Sequence, residues 1–293
     1  MKYAIVGLGP VGRRIADSAR ANGHSIACYD IDDSRTDGWP KGLSVESIVE
    51  GADRIVSAVP ASAAQQVALE TAANSTSADG LYEDWTSAAP QTKVDLARLI
   101  GQDRYIDVSL LDSITVNRPQ LCIAGKARET VARELSSLNF DVVVSGPAPG
   151  DAATVKMIRS SFMKPLEVLA IELLRVSRLR DPSGAAISSI ERTLQQTFSE
   201  LASMLLTTNR IHAGRRVEEL NEAMGAVGSP FGAPLLSASA RALAELRDIW
   251  AKPDAPQPDA DAETLIAYLL SPSGLDDMMD DSYRNPSEGR DSS

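Results

Sequence analysis

Apolar positions occur in short runs through the first half of the chain and at helical spacing through the second half. The short runs predict strands over residues 2–6, 25–29, 54–59, 81–85, 104–108, 120–124 and 141–144. Between them, helical spacing predicts helices over residues 11–21, 45–50, 61–73, 90–99 and 127–138. Strands that alternate with helices favour an α/β fold with a doubly wound parallel sheet.

From residue 151 no strand-like run follows. Helical spacing predicts a long helix over residues 153–178 and further helices over 183–206, 210–227 and 234–249. A Pro- and Asp-rich linker, a short helix over residues 263–270 and a disordered acidic tail are predicted after them. The predicted domains are therefore an α/β domain over 1–150, an all-α domain over 151–250, and the linker and tail over 251–293.

A glycine motif joins the first predicted strand to the first predicted helix. Gly7, Gly9 and Gly12 follow the strand in a GxGxxG spacing, and Asp30 ends the second strand. In this order the glycines permit a tight turn, a close backbone approach to a pyrophosphate and close helix packing. A dinucleotide site is predicted, with the candidate residues Gly7, Leu8, Gly9, Pro10, Val11, Gly12, Asp30, Val59 and Pro60. The alternative is the same fold with tight turns and no ligand.

The acidic residue also bears on which dinucleotide is bound. The carboxylate of Asp30 would accept hydrogen bonds from the ribose hydroxyls and repel a 2′-phosphate, so NAD is favoured over NADP. Arg35 follows a few residues later and weakens that preference, which keeps NADP as the alternative.

The composition limits the classes of partner and the compartment that are expected for this protein. The net charge of −11 argues against nucleic acid and anionic membranes. Cys28 and Cys122 fall in predicted strands, which is typical of core thiols in a reducing compartment. No apolar stretch has the length of a membrane span, and the chain enters a strand without a signal peptide, so a cytoplasmic protein is expected. The sequence contains no metal-ligand motif, and no metal site is predicted.

The junction between the two predicted domains carries the catalytic candidates. Lys156 lies between one and two turns into the long helix, and Ser160 is on the same face. A partly buried lysine at the carboxyl edge of the sheet can act as a general acid or base on a carbonyl or hydroxyl oxygen. The alternative is an exposed lysine in a charge pair.

Over residues 1–249 this layout resembles the 6-phosphogluconate dehydrogenase-like, or β-hydroxyacid dehydrogenase, superfamily. The catalytic pattern of that family, GxxGxGxxxKxxxN, is matched by Gly150 and Lys156, whereas Ser160 replaces its asparagine and Pro147 and Ala152 replace two of its glycines. The family element DxSTxxP appears as DWTSAAP over residues 84–90, which implies that Thr86 and Ser87 lie beside the nicotinamide.

The resemblance implies a Rossmann domain that binds NAD(P), a helical domain that forms a homodimer, and a catalytic role for Lys156. It also implies that Ser160 helps to hold the substrate hydroxyl.

The chain departs from the typical family pattern after the fifth predicted strand. The carboxylate-binding segment DAPVSGG is replaced by DVSLLDS over residues 107–113, so a small 3-hydroxy acid is not the expected substrate. The alternative is that this loop is rebuilt and the anion is held elsewhere. The segment GDAATVKM over 150–157 and an Arg-Arg helix are similar to a branch whose C-terminal domain has no assigned function. The substrate candidates are Asp112, Ser113, His212, Arg215 and Arg216. For His212 and the two arginines, a solvated ion-pair network is the alternative.

The sequence therefore predicts an NAD(P)-dependent oxidoreductase that acts on a small molecule. Hydride would move between the nicotinamide and a carbonyl or alcohol carbon, with Lys156 as general acid or base. The alternatives are imine reduction on the same scaffold, whose members usually replace the lysine, and a non-catalytic sensor that only binds the dinucleotide.

Overall fold

The structure is a computed structural model that describes residues 1–40, 43–75, 80–179, 183–227 and 233–275. Its contacts divide the chain into two compact units, residues 1–164 and the part from residue 165 onward.

Seven strands form the sheet of the first unit, and each predicted strand is present. They are β1 Lys2–Val6, β2 Ser25–Tyr29, β3 Arg54–Ser57, β4 Leu81–Asp84, β5 Tyr105–Leu110, β6 Gln120–Ala124 and β7 Asp141–Val144. Their order in the sheet is β2-β1-β3-β4-β5-β6-β7. The chain therefore reverses its direction of winding between β1 and β3, where open α/β sheets bind ligands.

Helices cover both faces of this sheet. They are α1 Pro10–Ala21, α2 Val45–Val49, α3 Ala61–Asn74, α4 Pro90–Ile100, α5 Arg128–Ser137 and the first part of α6 Asp151–Leu179. In β1, Tyr3 and Ile5 pack in one apolar cluster with α1 and α5, whereas Ala4 and Val6 pack in a second cluster with α2, α3 and α4. Alternate side chains of a strand point to opposite faces, which explains why the buried strands are apolar throughout. The predicted α/β fold class is confirmed.

One strand pair departs from the predicted parallel arrangement. β6 runs antiparallel to β5, whereas the other paired strands of the sheet are parallel. Residues 111–119 connect β5 to β6 without a helix. That connection is too short for a parallel crossover, which takes a dozen or more residues.

The second unit is helical. After the rest of α6 it contains α7 Ser183–Thr193, α8 Phe198–Val227, α9 Ala233–Trp250, α10 Ala262–Leu269 and α11 Pro272–Leu275. Its buried core joins α8, α9 and α10 through Ala213, Ile249, Trp250 and Leu265. The indole Nε1 of Trp250 donates to Oδ1 of the buried Asn209 at 2.9 Å, so the one polar end of this side chain is satisfied.

Two predicted helix limits in this unit are wrong. The chain leaves α7 after Thr193 and starts α8 at Phe198, whereas a break was predicted after residue 206. A capping box sets the new start, because Thr197 N donates to Oε2 of Glu200 at 2.9 Å and Glu200 N donates to Oγ1 of Thr197 at 3.3 Å. His212, Arg215 and Arg216 consequently lie inside α8 and not at the start of a helix.

The stretch after α9 packs on α8. Arg210 donates from Nε and Nη2 to the carbonyl oxygen of Pro256 at 2.8 and 2.6 Å. The short helix predicted over residues 263–270 is present as α10. The disordered acidic tail was predicted from residue 271, and this is wrong for Pro272–Leu275, which form α11; the rest of the predicted tail, from residue 276, lies outside the described residues. Within the described ranges, no helix combines the length and the apolar character that a bilayer crossing requires.

Candidate functional site

The glycine loop between β1 and α1 is built by close backbone contacts. Gly7 has a φ of +92°, and a Cβ atom there would lie 2.6 Å from the carbonyl oxygen of Ala58. A Cβ atom on Gly12 would lie 1.8 Å from the carbonyl oxygen of Gly7. Around Gly9, in contrast, nothing lies within 4 Å of the position of a Cβ atom. Gly7 and Gly12 therefore shape the turn. Gly9 leaves an open side, where a ligand can come close to the protein backbone.

Asp30 at the end of β2 holds this loop. Its Oδ2 atom accepts a hydrogen bond from Leu8 N at 2.6 Å, and its Oδ1 atom accepts one from Asp32 N at 2.9 Å. The side chain is only 6% exposed. Each carboxylate oxygen has a second lone pair, so Asp30 can still accept hydrogen bonds from a ribose.

Arg35 lies on the outer side of the same carboxylate. Its Nε atom is 3.3 Å from Oδ2 of Asp32, and its Nη1 atom is 4.0 Å from Oδ2 of Asp30. Two carboxylates therefore already surround this guanidinium.

A cleft of about 690 Å³ runs from the glycine loop across the ends of β1, β3 and β4. Of the predicted cofactor residues, those that line it are Gly7, Gly9, Val11, Asp30, Val59, Pro60 and Ser87. Leu8, Pro10 and Gly12 belong to the loop that bounds it, and the buried Thr86 precedes Ser87. The first amides of α1 have no acceptor within the helix and face the same end of the sheet. This set of donors, together with Asp30, fits a dinucleotide.

The loop after β4 forms the far side of the cleft. Asp84 ends the strand, and its Oδ1 atom accepts hydrogen bonds from Thr86 N at 2.9 Å and from Thr86 Oγ1 at 2.6 Å. The next residue, Ser87, accepts a hydrogen bond on Oγ from Nζ of Lys156 at 2.8 Å. The structure thus brings the predicted catalytic lysine to the predicted cofactor loop, both within the first unit.

Gly150 allows α6 to reach that loop. It has a φ of +94°, and a Cβ atom there would lie 2.9 Å from the carbonyl oxygen of Pro90, the first residue of α4. The first turn of α6 is then held by Asp107, whose Oδ2 atom accepts a hydrogen bond from Ala153 N at 2.9 Å. Lys156 follows one turn later, and Ser160 lies one further turn along the same face and is half-buried.

A buried cluster of charges lies beside these elements, and the sequence analysis did not predict it. Nζ of Lys93 on α4 is 3.2 Å from Oδ2 of Asp84 and 3.2 Å from Oδ1 of Asp107. The three residues have no measurable exposure. Tyr105 adds a hydrogen bond from its hydroxyl to Oδ2 of Asp84. The signal in the sequence was the place of Lys93 on the buried face of α4, with Leu96, Ala97 and Ile100.

The electrostatic surroundings of Lys156 favour its neutral form. Burial of the half-buried amine lowers the pKa of Lys156, and the positive charge of Lys93 lowers it further, whereas the carboxylate of Asp107 raises it. Burial in turn raises the pKa of Asp107 against the opposing effect of Lys93. A lysine with a lowered pKa can give and take a proton near neutral pH more readily than an exposed lysine.

Asp112 and Ser113 are engaged in the turn between β5 and β6. Oδ1 of Asp112 accepts a hydrogen bond from Gln120 N at 2.9 Å. The hydroxyl of Ser113 pairs with that of Thr115 at 2.7 Å. Both side chains therefore stabilise their own loop, which follows the carboxyl end of β5.

The remaining substrate candidates lie in the second unit. Arg215 pairs with Glu219 at 3.2 Å, and both side chains are more than half exposed. Arg216 donates from Nη2 to Oγ1 of Thr208 at 2.7 Å, and His212 is half-buried. The contacts of Arg215 agree with the solvated ion-pair alternative. Among the described residues, no three His, Cys, Asp or Glu side chains are grouped as metal ligands.

Comparison with known proteins finds a similarity in the first part of the chain. Residues 2–108 match the model of the NAD binding domain of 6-phosphogluconate dehydrogenase. These residues contain the glycine loop, Asp30, the Thr86–Ser87 loop and Lys93. Over this range the chain is similar to an NAD(P)-binding domain of this type.

Similarity to known proteins extends beyond this domain. An uncharacterized 28.5 kDa protein from the 7S RNA 5′ region of Methanothermus fervidus is 23% identical over 228 residues, which are 76% of this chain and 89% of that protein. A conserved protein of unknown function, described as structurally similar to 3-hydroxyacid dehydrogenases, has 23% identity and a TM-score of 0.57, with 85% of this chain and 97% of that chain covered.

A Streptomyces aurantiacus imine reductase has 16% identity and a TM-score of 0.70, with 92% of this chain and 100% of that chain covered. The domain match and the shared fold confirm the predicted resemblance to the 6-phosphogluconate dehydrogenase-like superfamily.

Proposed function

We propose that this chain is an NAD(P)-dependent oxidoreductase that acts on a small carbonyl or alcohol substrate, with Lys156 as general acid and base. The observation that carries the proposal is the 2.8 Å hydrogen bond between Nζ of Lys156 and Oγ of Ser87, which lines the dinucleotide cleft. When bound, the nicotinamide ring supplies or accepts the hydride.

The side chains of this chain supply the proton and the orientation. In carbonyl reduction, the ammonium of Lys156 donates a hydrogen bond to the carbonyl oxygen and transfers its proton as negative charge develops there. In alcohol oxidation, the neutral amine accepts the hydroxyl proton. The lowered pKa of Lys156 supports both directions near neutral pH. Ser87 and Ser160 orient the same oxygen, since serine both donates and accepts hydrogen bonds.

NAD is the proposed cofactor, with NADP as the alternative. Asp30 and Asp32 both line the cleft, so a 2′-phosphate on a ribose bound by Asp30 would meet like charge. Arg35 also lines the cleft, but both carboxylates already pair with it. A phosphate would have to displace these pairs to gain the guanidinium.

Imine reduction is the second candidate, and the fold similarity to the Streptomyces aurantiacus imine reductase favours it. On this alternative the ammonium of Lys156 would protonate or hold the imine nitrogen before the hydride is transferred. A lysine at position 156 favours the carbonyl substrate, because a basic imine nitrogen can bind already protonated, whereas a carbonyl oxygen needs a proton donor in the site as the hydride arrives.

The first test is nucleotide binding, measured by fluorescence titration with NADH and NADPH. Asp30→Ala should weaken NADH binding by about tenfold or more, because it removes both the ribose acceptor and the hydrogen bond that holds Leu8. Asp33→Ala removes an exposed carboxylate from the same loop and should leave the affinity near that of the wild type. Absence of binding for both nucleotides would contradict the proposal.

The second part of the test is turnover on a panel of aldehydes, ketones, alcohols and cyclic imines. Lys156→Met should lower kcat by about 10²–10⁴-fold on a carbonyl substrate and leave NADH affinity unchanged. Lys126→Met is the control, because Lys126 is 64% exposed and pairs with Asp103. Turnover of imines alone would favour the second candidate, and NADH binding without any Lys156-dependent turnover would indicate a non-catalytic sensor.

A further inference from the structure

The buried charges of Lys93, Asp84 and Asp107 have no place in the proton transfer itself. They come from α4, β4 and β5 and are shielded from solvent. Burial of charged groups is costly unless they are paired, and a structural link of this size could equally be apolar. What distinguishes the cluster is that its two carboxylates also bind the two segments that carry Ser87 and Lys156.

Each carboxylate serves a different segment. Asp84 accepts two hydrogen bonds from Thr86, which precedes Ser87. Asp107 accepts a hydrogen bond from Ala153 N in the first turn of α6, one turn before Lys156. Lys93 lies 3.2 Å from both carboxylates and therefore links the two segments through one ammonium group.

We propose that Lys93, Asp84 and Asp107 are positioning residues that hold Lys156 against Ser87 and set the charge that its amine experiences. This inference rests on the proposed function for what Lys156 does, but the state of the amine can be measured without a substrate. None of the three residues needs to touch the substrate for the cluster to act.

The charges around the Lys156 amine act on its protonation in opposite directions. The charged groups that act on the Lys156 amine from the surrounding elements are Lys93 of α4, which favours the neutral amine, and Asp107 of β5, which favours the ammonium. The carboxylate of Asp84 on β4, next to the Thr86–Ser87 loop, offsets part of the positive charge of Lys93. On α6 itself, the carboxylate of Asp151 is engaged by Ala148 N at 3.1 Å.

Competitive labelling with trace acetic anhydride, followed by peptide mass spectrometry, gives the pH midpoint of Lys156 reactivity in the resting protein. Asp107→Asn should move that midpoint to lower pH by about half a unit or more, because the ammonium loses a favourable negative charge. The amide oxygen in this variant can still accept the hydrogen bond from Ala153 N, so the position of α6 is kept. Asp84→Asn removes a carboxylate from the same lysine and is the matched control, for which a shift less than half as large is expected.

A second variant tests Lys93 with the opposite sign. Lys93→Met combined with Asp84→Asn removes one positive and one negative charge and leaves Asp107 beside Lys156, so the midpoint should move to higher pH. Lys126 provides an internal reference in each sample, because its exposed amine should keep its midpoint.

A merely structural role predicts a different pattern. Loosening of the site would admit water to Lys156 and raise the midpoint in every variant, including Asp107→Asn. An unchanged or raised midpoint in Asp107→Asn would therefore overturn the proposal, as would an unchanged or lowered midpoint in the double variant. These midpoints are measured without turnover, so the failure of the proposed function can be told apart from the failure of this inference.

Discussion

Among the individual residues, the three glycines of the first loop are not interchangeable. A Cβ atom on Gly12 would lie 1.8 Å from backbone, whereas a Cβ atom on Gly9 would meet nothing within 4 Å. Gly9 also has φ −64° and ψ −176°, a conformation that any residue adopts. The fold requires Gly12, and only a ligand would require Gly9.

This contrast leads to a paired prediction. Gly9→Ala should keep the free energy of unfolding within about 0.5 kcal/mol of the wild type but lower NADH affinity by about tenfold or more, because the new methyl group occupies the approach of the phosphates. Gly12→Ala should lower the free energy of unfolding by about 1–3 kcal/mol, because α1 must move away from Gly7. Denaturant unfolding and NADH titration measure the two effects. Wild-type affinity in Gly9→Ala would mean that phosphates do not approach at this residue.

The sequence revealed these glycines but not the partners of Lys156. Gly7, Gly9, Gly12 and Asp30 are local in sequence and form a recognisable spacing, so their arrangement could be predicted. Lys93 and Asp107 are brought together only by the packing of α4 against the sheet. The one local signal was a lysine on an otherwise apolar helix face. Such a position is equally compatible with a lysine whose stem is buried and whose ammonium reaches solvent.

At the scale of the elements, local patterns predicted the existence of strands and helices better than their connections. The alternation of strands and helices correctly predicted the parallel strands. It did not predict the antiparallel direction of β6, which follows from the lack of a helix in the short connection over residues 111–119. The start of α8 depended on the Thr197–Glu200 capping box, which competes with a continuous helical pattern across residues 183–206. Both differences arise because a few residues at a connection outweigh the periodicity around it.

A further buried acid, Glu83, lies in a charged group that connects the sheet with α5. Glu83 on β4 is 1% exposed and accepts a hydrogen bond from Nε1 of Trp85 at 3.1 Å. Its Oε1 atom is 4.0 Å from Nε of Arg54 on β3, and Arg54 in turn donates from Nε to Glu134 on α5 at 2.7 Å. Burial raises the pKa of Glu83 to about 7, against the opposing effects of Trp85 and Arg54.

This acid gives the fold a pH dependence with a defined direction. The unfolded chain loses the Glu83 proton near its ordinary value of 4.5, whereas the folded protein keeps it up to about pH 7. The contribution of Glu83 to the free energy of unfolding therefore falls as the pH rises from about 4.5 to about 7 and is constant above that range. Glu83→Gln has no group that ionises here and so lacks this pH-dependent loss. The free energy of unfolding of the variant minus that of the wild type should therefore be about 1–3 kcal/mol larger at about pH 8 than at about pH 5.

Denaturant unfolding at the two pH values measures that difference. Glu129→Gln is the control, because Glu129 lies on α5 with 66% of its side chain exposed and should show no such change. Equal stability differences at the two pH values for Glu83→Gln would mean that Glu83 is ionised in the folded protein throughout this range.

At the scale of the whole molecule, α6 presents more apolar surface than a helix in water normally does. Val168, Leu169 and Ile171 are each close to half exposed, and these neighbouring positions point in different directions around the helix. A helix that is apolar on several sides is normally buried by other protein. The resemblance to the β-hydroxyacid dehydrogenase superfamily implies a homodimer through the helical domain, and a second copy of this chain is therefore the expected cover.

The oligomeric state tests this expectation. Sedimentation equilibrium at micromolar concentration should give twice the chain mass of 31.2 kDa for the wild type. Leu169→Asp combined with Ile171→Asp should shift the protein towards the monomer, because burial of two carboxylates in an apolar interface is strongly unfavourable. Leu69→Asp on α3 is the matched control, because Leu69 is 45% exposed outside the helical domain and should not affect association. A monomeric wild type would contradict this expectation and would require that the apolar positions of α6 be covered within the same chain. In that case the aspartate variants would lower the free energy of unfolding, and the sedimenting mass would stay that of one chain.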